Sequence, residues 1–351
     1  MNLAVFLPNW IGDVVMATPA LRALRQTFRN DRLIAVVRPY VAGVLDGCHW
    51  FDEVLLATAD LSGVWQVARR LRQLKPALAV LLPNSIRSAL TARLAGCRRR
   101  IGIVRDPVRR WLVTDALDPV RNEHGKITPS PAIDDYNRIA RVAGCSPPGN
   151  RMELFTTRND EETADAVWRR AGFAANREVI CLNPGAAFGS AKFWPVQYFI
   201  DLAERFVRRR GSQVLVLCGP AERDLARQIA GTVGHPSVIA LSAEGMPPPS
   251  LGLTKACVRR CDLLVTTDSG PRHFAAAFGR PVVTLFGPTH IAWTETYYPL
   301  AIHLQKQVDC GPCQRRVCPL DHRCMTQLLP SEVAAAAERL LENSPVRRAR
   351  A

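Results

Sequence analysis

The chain has 351 residues, 48% of them hydrophobic and 22% charged, and its 46 Lys and Arg against 31 Asp and Glu give a formal net charge of +15. At roughly 150 residues per domain the length fits about two domains, and the composition excludes a disordered chain, which needs low hydrophobicity with high charge. A membrane-spanning helix is excluded too, because no stretch approaches ~18 consecutive apolar residues and runs such as 179–191 are broken by Gly, Pro and Asn.

The first twenty residues are apolar enough to resemble a secretory leader. No basic residue precedes the apolar stretch and Asp13 interrupts it, so the segment reads as a first strand and helix, and the expected location is the cytoplasm. Leu3–Pro8, Leu33–Val37 and Ala77–Leu82 are predicted strands, with helical spacing over Ala17–Phe28 and Gly63–Leu74 between them. Such alternation predicts a parallel sheet with crossover helices. The pattern weakens from Arg105 to Asn150, where Pro107, Pro119, Pro129, Pro131, Pro147 and Pro148 accumulate. It restarts with a helix over Asp160–Ala171, strand Val179–Asn183, helix Val196–Arg209, strand Gln213–Cys218 and helix Ala221–Gly231. Strands Val238–Leu241, Asp262–Thr266 and Pro281–Phe286 follow, with a helix over Phe274–Phe278. The domains are therefore 1–160 and 161–351, the second including the cysteine cluster 310–324 and a final helix over 331–343 that packs back on the first domain.

Residues 1–150 carry 21 Lys and Arg against 12 Asp and Glu, so +9, leaving +6 for the remainder. The denser clusters are Arg69, Arg70, Arg72 and Lys75, then Arg98, Arg99 and Arg100, then Arg105, Arg109 and Arg110. Such a field favours polyanions or an anionic membrane surface, and the plain alternative is solvated Arg on helix faces.

Ligands of open α/β sheets gather at the carboxyl ends of strands. The turn after the first strand holds Trp10, Gly12 and Asp13; Gly12 lets backbone come close, and Asp13 is either a helix cap or a base. An aromatic beside a carboxylate suits a sugar. Asn183 to Pro195 follows a strand, contains Gly185 and Gly189, carries Lys192 and leads into a helix, the plan of a phosphate-binding turn with a counter-charge. It lacks the Walker order, and no GxGxxG is present, which argues against a dinucleotide oxidoreductase. Thr266 to His273 places Asp268, Ser269, Gly270 and His273 at the start of a helix, either as an N-cap run or as a pyrophosphate holder. Glu222 stands where an acid binds ribose hydroxyls, or where it is an ordinary first-turn acid.

Seven cysteines, Cys48, Cys97, Cys145, Cys181, Cys218, Cys257 and Cys261, are scattered in the manner of buried reduced thiols. Cys310, Cys313, Cys318 and Cys324, with His322 among them, are clustered. They are compatible with a structural zinc, reduced thiols or disulfides, and Arg315, Arg316 and Arg323 beside them offer acceptor contacts.

In combination, WIGDVVMATPALRALR, NPGAAFGSAKFWP, CGPAERD and TTDSGPRHFAAAFGRPVVTLFGPT resemble, in order and over nearly the whole chain, the ADP-heptose:lipopolysaccharide heptosyltransferases of glycosyltransferase family 9. CGPCQRRVCPL with the following His and Cys resembles the heptosyltransferase II branch. The resemblance implies a GT-B fold, two Rossmann-like doubly wound domains facing across a cleft, the first for acceptor and the second for the sugar nucleotide. It implies inverting transfer of L-glycero-D-manno-heptose from ADP-heptose to the heptose of the lipopolysaccharide inner core, with no metal required for catalysis. Asp13 then matches the general base and Lys192 the counter-charge to the diphosphate. The donor is held by Gly12, Pro184, Gly185, Ala186, Ser190, Glu222, Asp268, Ser269, Gly270 and His273. Trp10, Arg69, Arg98, Arg99 and Arg100 are the acceptor candidates, and docking is peripheral, at the inner face of the cytoplasmic membrane. Pro271-Arg272 departs from the more usual apolar pair, a change expected to alter the sugar contacts there. The alternatives are a related transferase with another nucleotide sugar or glycan, and a basic nucleic-acid-binding protein. Against the last stand 7% aromatics and no recognised nucleic-acid motif, so no nucleic acid is expected.

Overall fold

The computed structural model describes residues 1–343. Residues 344–351, with Arg347, Arg348 and Arg350, lie outside the described residues. The chain divides into two compact units, the first of residues 1–155 with 292–297, the second of 156–291 with the remainder.

The first unit is a parallel sheet of β1 (Asn2–Phe6), β2 (Arg32–Val37), β3 (Glu53–Leu56), β4 (Leu78–Leu81), β5 (Arg99–Ile103) and β6 (Asp115–Leu117), in the spatial order β3-β2-β1-β4-β5-β6. Ala4 pairs with Ile34 on one side and Ala79 on the other. The central strands are apolar on both faces because helices cover both, which is why LAVF, LIAVV and LAVL read as unbroken runs. The connecting helices are α1 (Ile11–Met16), α2 (Thr18–Thr27), α3 (Pro39–Ala42), α4 (Leu61–Leu74), α5 (Ile86–Leu94), α6 (Pro107–Arg110) and α7 (Ala132–Val142).

Sequence spacing caught α2 and α4 but missed α7, which lies inside the proline-dense region. Its Ile133, Tyr136, Ile139 and Ala140 are buried at helical spacing, and it packs on α1 and α2. The 292–297 segment belongs to this unit: Arg105 lies over the Trp293 ring at 5.2 Å, and the Tyr297 hydroxyl donates to Asp134 Oδ2 at 2.7 Å.

The second unit starts at a capping box in which Thr157 Oγ1 accepts from the Asp160 N–H and Asp160 Oδ2 accepts from the Thr157 N–H, opening α8 (Arg158–Ala171). Its strands are β7 (Val179–Asn183), β8 (Gln213–Val216), β9 (Val238–Ala240), β10 (Leu263–Thr267), β11 (Val282–Phe286) and β12 (Ala301–Gln305), in the order β12-β11-β10-β7-β8-β9. The helices are α9 (Val196–Arg210), α10 (Arg223–Val233), α11 (Leu251–Arg260), α12 (Gly270–Ala277), α13 (Arg323–Thr326) and α14 (Pro330–Asn343). α14 packs on α9, β10, β11 and β12, burying Val333, Ala337, Leu340 and Leu341 against the second unit's own core.

Six of the scattered cysteines are buried and Cys48 is half-buried; all are free thiols. Among the described residues no helix is long and apolar enough to cross a membrane.

Candidate active site

In both sheets the switch in strand order falls beside the first strand, between β1 and β4 and between β7 and β10. That is where the loops at the carboxyl ends part and leave room for a ligand.

In the first unit the β1–α1 turn presents Trp10, 46% exposed, and half-buried Gly12 and Asp13. Trp10 holds the N-cap position of α1 and Asp13 is its third residue, so the cap alternative for Asp13 is corrected. Its carboxylate instead accepts a hydrogen bond from the Tyr136 hydroxyl of α7, Oδ1 at 3.2 Å. Burial and the nearby Asp13 charge push the Tyr136 phenol well above its ordinary value, which keeps it a donor.

The four arginines offered with Asp13 are not brought to it. Arg99 and Arg100 begin β5 at the amino edge of the sheet, about 15 Å from the carboxyl edge at strand rise. Their guanidinium groups are engaged with Asp115 and the carbonyls of Val142, Leu112 and Cys97. Arg98 is exposed just before β5, and Arg69 is exposed in the second half of α4.

In the second unit the loops after β7, β8 and β10 converge. Asn183 at the end of β7 donates through Nδ2 to Thr266 Oγ1 at 2.9 Å and Ser269 Oγ at 3.0 Å, and Thr267 Oγ1 donates to the Gly185 carbonyl at 2.7 Å. Pro184, Gly185 and Ala186 are thereby buried and stapled to the β10 loop. Glu222, at the N-cap position of α10, lies against this loop. Its Oε2 accepts from the Gly219 N–H at 2.7 Å, and a Cβ added to Gly185 would meet its Oε1 at 2.3 Å. A Cβ at Gly185 would therefore displace the Glu222 carboxylate, and Glu222 stands at the N-cap position of α10 rather than in its first turn.

Lys192, 7% exposed in the 3-10 turn Ser190–Lys192, donates from Nζ to Asp268 Oδ2 at 2.5 Å and to the Asp268 carbonyl at 2.9 Å, with Nζ 4.8 Å from the centre of the Phe188 ring. Ser190 itself is exposed. Asp268 also accepts from Thr289 Oγ1 at 2.7 Å and pairs with Arg272 Nη1 at 3.3 Å. Burial alone would raise its carboxyl, but Lys192, Arg272 and Thr289 outweigh that and hold it down at about 2. His273 is pushed the other way, well below the usual imidazole range, by burial and by Arg272, so it is neutral at pH 7. Ser269 holds the N-cap position of α12, as the N-cap reading has it, but without a capping bond, its hydroxyl being engaged by Asn183.

Sequence reasoning missed Tyr136 and Thr289 as members of these sites and named Asn183 only as the start of its loop. It also missed the part played by the cysteine segment, which closes over the β7 loop. The Arg316 carbonyl accepts from the Ala191 N–H at 3.0 Å, His322 Nε2 bonds the Ala191 carbonyl at 2.7 Å, and the Arg316 guanidinium lies over Phe188 at 5.7 Å. Arg323 pairs with Asp321. Cys310 and Cys313 are exposed, Cys318 is half-buried and Cys324 buried, and all four are free. Burial, with the thiols of Cys318, Cys310 and Cys313, pushes Cys324 up to about 11. Among the described residues no three His, Cys, Asp or Glu side chains are gathered as a metal-holding group.

Comparison with known proteins bears on the family and the fold. The model of glycosyltransferase family 9 (heptosyltransferase) matches residues 64–323. Lipooligosaccharide heptosyltransferase 2 of Campylobacter jejuni is 25% identical over 98% of this chain and 99% of its own length. Lipopolysaccharide heptosyltransferase 1 of Pseudomonas aeruginosa is 27% identical over 97% and 98%, so both numbered types are matched at similar levels. The solved structure of Escherichia coli ADP-heptose LPS heptosyltransferase II superposes with a TM-score of 0.76 at 22% identity, covering 97% of this chain and 99% of that one. The two six-stranded parallel sheets are those of the GT-B architecture. With the family model spanning well over half of its length, the chain belongs to glycosyltransferase family 9, the heptosyltransferases.

Proposed function

We propose that the chain transfers L-glycero-D-manno-heptose from ADP-heptose to the heptose of the lipopolysaccharide inner core, with inversion. Asp13 is the general base on the acceptor hydroxyl, oriented by Tyr136. Departure of ADP develops negative charge on the diphosphate, which Lys192 and the backbone N–H groups at the start of α12 meet. Glu222 receives the ribose hydroxyls. The charge needed at the leaving group comes from Lys192, so no metal is required for the transfer. The acceptor is reached by peripheral contact at the inner face of the cytoplasmic membrane, supported by the +15 net charge.

The observation that carries the reading is the Glu222 carboxylate lying against Gly185, on a loop that Thr267 ties to β10, with the buried Lys192–Asp268 pair joining the end of that loop to the turn after β10. Calorimetric titration of ADP-heptose into the wild type and Glu222→Ala, with ADP-glucose and UDP-glucose as competitors and EDTA present throughout, tests it. Selective ADP-heptose binding that weakens tenfold or more in the variant is expected. Equal or absent binding of all three nucleotides, or dependence on added divalent cation, rejects it.

A further inference from the structure

One buried cation of the second unit has no part in the transfer scheme above. Arg272 is the third residue of α12 and only 2% exposed. That is a costly place for a guanidinium, since the first turn of a helix carries the positive end of the dipole and a buried charge loses its hydration. Three contacts hold it there. Its Nη1 donates to Asp268 Oδ1 at 3.3 Å, its Nη2 lies 3.1 Å from His303 Nε2 on β12, and its central carbon stands 4.9 Å from the centre of the Phe286 ring at the end of β11.

The Asp268 carboxylate is thereby divided between two cations. Oδ1 faces Arg272, while Oδ2 accepts from Lys192 Nζ and from Thr289 Oγ1. The neighbouring His273, which lies in the field of Arg272, Asp268, His303 and Lys192, is neutral and adds no charge. Lys192 and Asp268 alone would cancel; with Arg272 the three groups keep one positive charge in surplus. In a buried cluster that difference is felt strongly, because the effective dielectric is far below that of water. Arg272 is too enclosed to serve as a nucleotide contact, so its route to the donor runs through Asp268 and Lys192.

We propose that Arg272 is a positioning residue for the donor diphosphate: by engaging Oδ1 of Asp268 it keeps the Lys192 ammonium from being cancelled by its own carboxylate. The surplus charge is then held ready for the leaving group before the donor arrives. The inference rests on the reading of Lys192 as the counter-charge to the diphosphate, and adds the residue that sets how much charge Lys192 presents.

The test is calorimetric titration of ADP into the full chain as wild type, Arg272→Gln, Arg272→Lys and the double variant Arg272→Gln with Asp268→Asn, each at a temperature where circular dichroism shows it folded. Arg272→Gln keeps hydrogen-bond donors but cancels the surplus, and should weaken ADP tenfold or more. Arg272→Lys keeps the charge and should stay within threefold of wild type. The double variant removes one charge of each sign, restoring the surplus on Lys192 alone, and should recover most of the lost affinity. An arginine needed only for packing gives no such recovery, because taking away the carboxylate removes a further contact. At steady state the Arg272→Gln loss should appear in the donor KM, with the acceptor KM within twofold of wild type. ADP affinity unchanged in Arg272→Gln, a tenfold loss in Arg272→Lys, or a double variant as weak as Arg272→Gln overturns the proposal while leaving the donor site in place. Absence of ADP binding by the wild type rejects the donor-site reading itself, and the inference with it.

Discussion

At the residue scale the two proposed catalytic groups are separable. Asp13 acts on the acceptor and Lys192 on the leaving group, so their deletions leave different signatures. Asp13→Ala should lower turnover by about 10²- to 10⁴-fold, the usual worth of a general base, while donor affinity measured by calorimetry stays within twofold. Lys192→Ala should instead weaken ADP binding as well as kcat. Lost donor binding in Asp13→Ala, or unchanged kinetics in Lys192→Ala, would reverse those assignments. Asp268 is the structural counterpart of Lys192, a carboxylate 6% exposed between two cations. Asp268→Asn leaves Lys192 and Arg272 buried without their anion and should cost about 3 to 5 kcal/mol, read as a lowered denaturation midpoint. Since its folded value of about 2 lies below the ordinary 3.8, its stabilisation is fully present above pH 4 and lost as pH falls through 2. The wild type should therefore lose stability over that window and the Asn variant should lose less; parallel acid curves would contradict this.

At the element scale the β7 loop is held from two sides, by β10 through Asn183 and Thr267 and by the cysteine segment through Arg316 and His322. Gly189 makes the second contact possible: its φ is +151°, and a Cβ there would lie 2.3 Å from the Arg316 carbonyl oxygen. Backbone cannot yield as a side-chain tip does, so Gly189→Ala should separate the two segments. The expected result is a donor KM raised tenfold or more with a smaller change in acceptor KM; an unaltered donor KM would show that the strap is not needed to shape the loop. In the folded chain the segment between the cysteines meets the β7 loop through the Arg316 carbonyl and guanidinium and the His322 ring.

At the scale of the whole molecule, each unit repeats one plan, a parallel sheet of six strands whose order switches beside its first strand. Function has been laid onto the repeats differently. The first unit offers a carboxylate and a phenol; the second offers a buried ion-pair network at a backbone-rich loop. The +9 of residues 1–150 is therefore only partly a field open to an anion, since Arg109 is buried and the Arg99 and Arg100 guanidinium groups are bonded to Asp115 and to backbone carbonyls.

The sequence by itself determined the alternation of strand and helix, the strand Val179–Asn183 to the residue, and the loops that carry Asp13, Gly185, Lys192, Glu222 and Asp268. These are local properties: apolar period, turn residues and the position of a loop at a strand end are written within a dozen residues. Tertiary structure decided the rest. Tyr136 reaches Asp13 across 123 residues because α7 packs on α1, and the proline density around α7 hid its apolar period. Arg272 departs from the more usual apolar pair, but its role follows from β11 and β12 lying beside β10, which brings Phe286 under its guanidinium and His303 to its Nη2. Arg98 to Arg100 looked like a binding patch until the register of β5 placed them at the amino edge. Which side chains meet depends on strand order and helix packing, and these are set by burial summed over the whole chain rather than by any one segment of it.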